Sequence, residues 1–80
     1  MIDPLKRGEA FSAIAMEREY QEGKWPGHVH SPAEWLLILE QLIEQAKVDY
    51  YEGVGSIMGS VRKIAATAVA AMEQQGVVHR

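Results

Sequence analysis

The chain has 80 residues, of which 48% are hydrophobic, with a formal net charge of −3 and no cysteine. This length predicts a single domain, residues 1–80, whose core is thin, and because no disulfide or thiolate metal site can stabilise it, we expect a partner chain to do so. The acidic balance argues against general nucleic-acid binding, and the absence of a membrane-length apolar run or a signal-peptide pattern in residues 1–10 predicts a cytoplasmic protein.

Three helical segments separated by glycine and proline predict an all-α fold, a small helical bundle. The first helix is predicted over residues 9–22, where apolar side chains recur at helical spacing: Phe11, Ala13, Ile14, Met16 and Tyr20. Gly23 and Pro26 are predicted to end it.

The start of the second helix is marked clearly in the sequence. Ser31 can cap the helix, Pro32 suits its first position and Glu34 completes a capping box. From there to Gly53 one apolar stripe is predicted to enter the core: Trp35, Leu36, Leu39, Leu42, Ile43, Ala46 and Tyr50. Three more apolar residues lie off this stripe: Leu37, Ile38 and Val48. Because a helix that is apolar on more than one side is usually buried on more than one side, we expect another subunit to pack against them.

The third helix is predicted from Ile57 to Gln75, with Gly76 as its C-terminal stop. Small side chains in its middle leave room for close helix approach: Ala65, Ala66, Ala68, Ala70 and Ala71. The second and third helices are predicted to form an antiparallel hairpin joined through "EGVGS", residues 52–56.

Polar side chains with binding chemistry share faces on two of these helices. One face of the second helix carries Glu40, Glu44, Lys47 and Tyr51, and one face of the third carries Ser60, Lys63 and Thr67. Two carboxylates one turn apart can hold a magnesium ion jointly if further oxygen ligands are supplied. The alternative is that these charges form an ordinary solvated face.

Two longer segments resemble a known family. "EREYQEGKWPGHVHSPAEWLLILEQLIEQAKVDYYEG" (17–53) and "VRKIAATAVAAMEQQGVV" (61–78) are similar to short phage and prophage proteins of the MazG-like, all-α nucleotide pyrophosphohydrolase group. The resemblance implies a MazG-like fold completed by oligomerisation, as dimers or tetramers. It also implies cleavage of nucleoside triphosphates to monophosphate and pyrophosphate, with magnesium held by an E-x-x-E and an E-x-x-D motif on facing helices.

The chain departs from both family motifs. The first aligns on Gln41 and Glu44, with Glu40 just before it, and the second aligns on Ser60 and Lys63, where a hydroxyl and an ammonium replace carboxylates. An ammonium at such a position repels the metal cation. The departure favours a non-catalytic phage accessory protein, without a cofactor, that binds or sequesters a nucleotide-type ligand or inhibits a host protein, as in counter-defence. The alternative is a magnesium-dependent (d)NTP pyrophosphohydrolase with Glu40 and Glu44 as metal ligands.

For the non-catalytic hypothesis, cations and aromatic rings supply the predicted ligand-binding residues. Cations can meet phosphate directly, aromatic rings can stack on a base, and a hydroxyl can donate a hydrogen bond; the predicted residues are Trp25, Lys47, Tyr51, Ser60, Arg62 and Lys63. Lys63 is expected to face Glu40, Glu44 and Lys47. The alternative is that Arg62 and Lys63 are solvated and that Trp25 belongs to the core.

His28 and His30 lie in the segment between the first two helices. In extended backbone their rings can point to one side and bind zinc or copper, but two ligands without a third make an incomplete site. We therefore predict that this segment orders the start of the second helix, with Trp25 packed beneath it and Pro26 and Gly27 making the turn.

Overall fold

The computed structural model describes residues 3–80, which form three α-helices and no β-strand. The helices are α1 (Pro4–Lys24), α2 (Pro32–Glu52) and α3 (Ile57–Gln75). The predicted all-α class and the small helical bundle are confirmed.

The ends of α2 and α3 lie where the sequence predicts them. Ser31 Oγ accepts a hydrogen bond of 3.2 Å from the Glu34 N–H, and Glu34 Oε1 accepts one of 2.7 Å from the Ser31 N–H. The capping box is therefore complete. Gly53 ends α2 with a φ of 69°, a left-handed conformation that glycine adopts at little cost. Ser56 caps α3, and Gly76 follows its last residue.

Helix α1 is longer than predicted. It begins at Pro4 instead of residue 9, because Asp3 Oδ1 accepts a hydrogen bond of 2.9 Å from the Leu5 N–H and proline suits a first helical position. It continues to Lys24, so the prediction that Gly23 ends the helix is wrong. A single glycine in a helix costs only about 1 kcal/mol, which neighbouring residues can offset.

Helix α3 lies between the other two helices. It packs against both α1 and α2, whereas the backbones of α1 and α2 do not approach each other closely within residues 3–80. The indole N–H of Trp35, near the start of α2, donates to Gln74 Oε1, near the end of α3, at 3.1 Å. The α2–α3 pair is therefore an antiparallel hairpin, as predicted, and α1 lies along another side of α3.

The core is small. Its buried residues come from all three helices and are mostly small or polar: Gln21, Trp35, Ala46, Ala66, Thr67 and Ala70. None of the large side chains in the described residues is fully buried. The predicted α2 stripe is wrong at Leu36, Ile43 and Tyr50, which are exposed because α3 covers only the part of the helix around Trp35 and Ala46.

Helix α1 packs on α3 through a polar face. Gln21 is buried, and Glu17 and Arg18 are half-buried, while Phe11, Met16 and Tyr20 are exposed. Three of the five apolar side chains whose spacing predicted this helix therefore lie at the surface, while Ala13 and Ile14 are half-buried. The polar face of α1 lies against α3 because Arg62, Thr67 and Glu73 of α3 form hydrogen bonds with it.

Candidate functional site

A cleft opens between α1 and α2, with α3 as its floor. We call it the central cleft; its volume is about 310 Å³. Its walls combine aromatic, aliphatic and charged side chains: Arg18, Gln21, Glu22, Trp25, His28, His30, Trp35, Ile38, Leu42, Lys63, Thr67, Ala70 and Gln74. The cleft exists because α1 and α2 both pack on α3 while their backbones stay apart from each other.

The floor of the central cleft holds a short hydrogen-bond network. Gln21 Nε2 donates to Thr67 Oγ1 at 3.2 Å and to the Lys63 carbonyl at 3.5 Å. The Thr67 hydroxyl in turn donates to the same carbonyl at 2.8 Å. Since buried polar groups are costly without partners, this network fixes the position of α1 on α3.

Arg18 closes the α1 side of the cleft. Its guanidinium reaches Glu22 at 2.7 Å and Glu73 at 2.8 Å, and its side chain is 15% exposed. Burial alone would lower the pKa of Arg18, but the hydrogen bonds and charges of Glu22 and Glu73 raise it above its ordinary value. Its Nε–H has no partner within residues 3–80. Two carboxylates already neutralise this cation, which leaves it poorly suited to bind an anion.

The segment between α1 and α2 closes one end of the cleft. Gln74 holds it to α3, because its Oε1 accepts from the His30 N–H at 3.1 Å and its Nε2 donates to the His28 carbonyl. The rings of His28 and His30 share a hydrogen bond of 2.8 Å, and the His30 ring lies edge-on to Trp35 with centroids 4.9 Å apart. This end of the cleft is therefore aromatic and ordered by hydrogen bonds.

Trp35 is the tryptophan that packs beneath this segment. It is 7% exposed, whereas Trp25 is about half exposed and has the Lys24 ammonium 4.9 Å from its ring centroid. The prediction that Trp25 packs beneath the segment is therefore wrong. The ring of Trp25 instead forms part of the rim of the central cleft.

The structure brings two of the predicted ligand-binding residues together. Trp25 and Lys63 both line the central cleft, and Ser60 lies with Lys63 in a smaller neighbouring cleft of about 90 Å³. Lys47 and Tyr51 are exposed on α2, and Arg62 forms an ion pair of 2.9 Å with Glu17; none of these three lines either cleft.

Glu40 and Glu44 do not line the cleft that contains Lys63, so the expected facing arrangement is not formed. Glu44 instead pairs with Lys47 at 3.3 Å on an exposed face. No three histidine, aspartate or glutamate side chains in residues 3–80 are grouped closely enough to hold a metal ion together. Because magnesium prefers several oxygen ligands, the acidic residues of one chain do not fit the metal site of the hydrolase alternative.

Several residues of the cleft are not among those predicted from the sequence: Gln21, His28, His30, Trp35, Thr67 and Gln74. Gln21 and Thr67 are 46 positions apart, so no local pattern reveals their contact.

Comparisons with protein-family models, curated proteins and solved structures find no match for this chain. The resemblance to the MazG-like group therefore rests on the sequence segments alone. No helix in residues 3–80 has both the length and the apolar character that a membrane crossing demands.

Proposed function

We propose that this chain is a small binding protein that takes a nucleotide-type ligand in the central cleft. The observation that supports this is the presence of aromatic rings and a lysine in one cavity, which Trp25, His30, Trp35 and Lys63 all line. His30 and Trp35 lie beside Gln74, at one end of α3. A base can stack on aromatic rings, and an ammonium attracts phosphate. The cavity volume suits a small ligand of this kind.

Lys63 is the cation best placed for the phosphate. It has no carboxylate partner within residues 3–80, whereas Arg18 in the same cleft is held by two. Eleven residues of helix separate Lys63 from Gln74, a distance of about 16 Å along α3. The ligand therefore lies along α3, with its base toward His30 and Trp35 and its phosphate toward Lys63.

A non-catalytic role agrees with the position of the candidate metal ligands. Glu40 and Glu44 lie outside the central cleft, and one of them is already paired with Lys47. A hydrolase that uses magnesium requires its carboxylates next to the bound phosphate. The proposal keeps the MazG-like scaffold that the sequence resemblance implies and assigns it binding without hydrolysis.

Calorimetric titration with nucleoside mono- and diphosphates and with cyclic nucleotides tests the proposal. We expect at least one of them to bind wild-type protein, and Lys63→Glu to weaken that binding by about 2 kcal/mol through loss of attraction and added repulsion. Lys6→Glu is the matched control, because it changes the net charge equally and Lys6 lines neither cleft. If no nucleotide binds, or if both variants bind equally, the proposal is wrong and inhibition of a host protein becomes the better hypothesis.

We also propose that the chain works as a homo-oligomer. Its accessible surface is 6496 Å², whereas a compact monomer of this mass exposes about 4,800 Å². Its radius of gyration is 13.7 Å, against about 12 Å for a compact chain of 80 residues. Much of the additional surface is apolar, since large hydrophobic side chains are exposed on all three helices.

A further inference from the structure

One apolar stripe of α2, exposed at three of its five residues, has the spacing of a coiled-coil seam. Leu36, Leu39, Ile43, Ala46 and Tyr50 follow one another at alternating intervals of three and four residues. Ala46 is buried against α3, but Leu36, Ile43 and Tyr50, seven residues apart from each other, are exposed. We call these three residues the α2 seam.

The α2 seam is separate from the central cleft. The cleft receives Trp35, Ile38 and Leu42 from α2, and none of the seam residues lines it. The seam lies beside the face of α2 that packs on α3. Nothing else in residues 3–80 covers it, although apolar stripes with heptad spacing normally pack against a second helix.

Charged residues next to the seam favour a particular partner. Glu40 and Lys47 are seven residues apart and flank the seam on its solvent side. When two copies of one helix pack antiparallel around a two-fold axis near Ile43, Glu40 of each copy lies beside Lys47 of the partner subunit. Opposite charges at such flanking positions select the partner and its orientation.

The exposed surface is sufficient for such an interface. The chain exposes about 1,700 Å² more than a compact monomer. An interface of standard size removes roughly 800 Å² from each partner, and obligate dimers remove more. The additional surface is spread over all three helices, and the α2 seam contributes three large exposed side chains to it. Pairing of the seams leaves the central cleft open.

We propose that the α2 seam is a homodimer interface, in which α2 of one chain packs antiparallel on α2 of a second copy. The inference rests on the proposed self-association and names its surface. Ile43 lies at the two-fold axis, and the Glu40–Lys47 pairs on either side fix the orientation.

Sedimentation equilibrium of the ligand-free protein tests the interface. We expect wild type to have twice the monomer mass of 8.9 kDa. Ile43→Glu brings two carboxylates together at the axis and is expected to raise the dimer dissociation constant by about a hundredfold. Val48→Glu is the matched control, because Val48 is 47% exposed and Ile43 is 45% exposed, but Val48 lies off the seam, on the face of α2 for which the sequence alone predicts a subunit contact, so the two variants distinguish the two surfaces. We expect it to leave the mass unchanged.

Exchanging the charges of Glu40 and Lys47 tests whether the two copies of α2 are antiparallel. It does so without placing a charge on an apolar residue. Glu40→Lys or Lys47→Glu alone is expected to weaken the dimer about tenfold, because each places like charges together, and the double variant is expected to restore it. A monomeric wild type, an odd number of subunits, equal effects of Ile43→Glu and Val48→Glu, or no rescue by the double variant would overturn the proposal. Since the mass is measured without ligand, failure of nucleotide binding leaves this result intact.

Discussion

Gln21 and Thr67 show how one buried polar pair positions a whole helix. Gln21 is 9% exposed, and its amide loses its hydroxyl partner if Thr67 changes. An unsatisfied buried donor costs more free energy than the hydrogen bond contributes when it is made. The pair therefore determines where α1 lies on α3 more than it adds to stability.

Thr67→Val is expected to lower the free energy of unfolding by about 1–3 kcal/mol, because the Gln21 amide remains in place without its hydroxyl acceptor. Adding Gln21→Leu is expected to recover part of this loss, since both partners are then apolar. Urea unfolding of the two single variants and the double variant measures the effect. If the double variant loses the sum of the two single losses, the two residues are not coupled.

Glu34 makes stability depend on pH at the start of α2. The backbone N–H of Ser31 and then its hydroxyl hydrogen-bond to the Glu34 carboxylate, and they hold its pKa below the ordinary value of 4.5. Because the folded pKa is lower than the unfolded one, this stabilisation is present above pH 4.5 and is lost as the pH falls through the folded value.

Glu34→Gln is therefore expected to flatten the fall of the melting temperature below pH 4.5, because glutamine cannot be protonated there and still completes a capping box. Thermal unfolding of wild type and variant between pH 3 and pH 7 checks it. Glu52→Gln, at the other end of the same helix, is the control and should keep the wild-type pH dependence. Identical pH profiles for wild type and Glu34→Gln would contradict the prediction.

At the scale of elements, α1 is held to α3 by charge as well as by Gln21. Arg18 links α1 to Glu73 of α3, and Arg62 of α3 reaches back to Glu17. Arg18→Ala removes the link whose cation is the more buried of the two arginines and leaves Glu73 without its partner. The α2–α3 hairpin has no comparable ion pair between its helices in the described residues.

Arg18→Ala is expected to lower the free energy of unfolding by about 1–2 kcal/mol. Arg7→Ala is the matched control, because Arg7 lies on the same helix and its side chain has no partner within residues 3–80. It is expected to change stability by less than about 0.5 kcal/mol. Denaturant unfolding compares the two variants, and equal losses would show that the Arg18 ion pairs contribute nothing.

The sequence predicts α2 and α3 well and α1 poorly, for physical reasons. Neighbouring residues alone determine a capping box or a left-handed glycine, so the sequence is sufficient to predict the roles of Ser31, Glu34 and Gly53 at the ends of α2. Which face of α1 is buried depends on α3, which lies far along the chain. The Asp3–Pro4 helix start has the same chemistry as Ser31–Pro32, but it lies before the apolar repeat whose spacing predicts the helix.

The residues of the candidate site also differ in how far the sequence predicts them. Trp25 and Lys63 could be chosen by residue type, because rings and cations suit nucleotides. The positions of Lys47, Tyr51 and Arg62 outside the clefts depend on helix rotation, which one sequence does not determine. The closure of the cleft by Gln74 depends on a contact with His28 across 46 positions.

At the scale of the whole molecule, the central position of α3 makes the three helices unequal. Because the backbones of α1 and α2 do not approach each other closely, each helix is held mainly by its own contact with α3. The α1 contact is polar and long-range, while α2 and α3 are joined by a short turn and bury Trp35 and the alanines. Local opening should therefore begin with α1.

This order has a consequence for native-state hydrogen exchange. We expect backbone amides of α1 to exchange fastest among the three helices, those of α2 more slowly, and those around Ala66 and Ala70 in α3 to exchange slowest, with protection that reflects global unfolding. Exchange followed by NMR at neutral pH measures these rates, and Thr67→Val should speed exchange in α1 far more than in α2. Equal protection of all three helices would mean that the chain opens only as one cooperative unit, so that α1 could not detach alone to admit a ligand to the cleft.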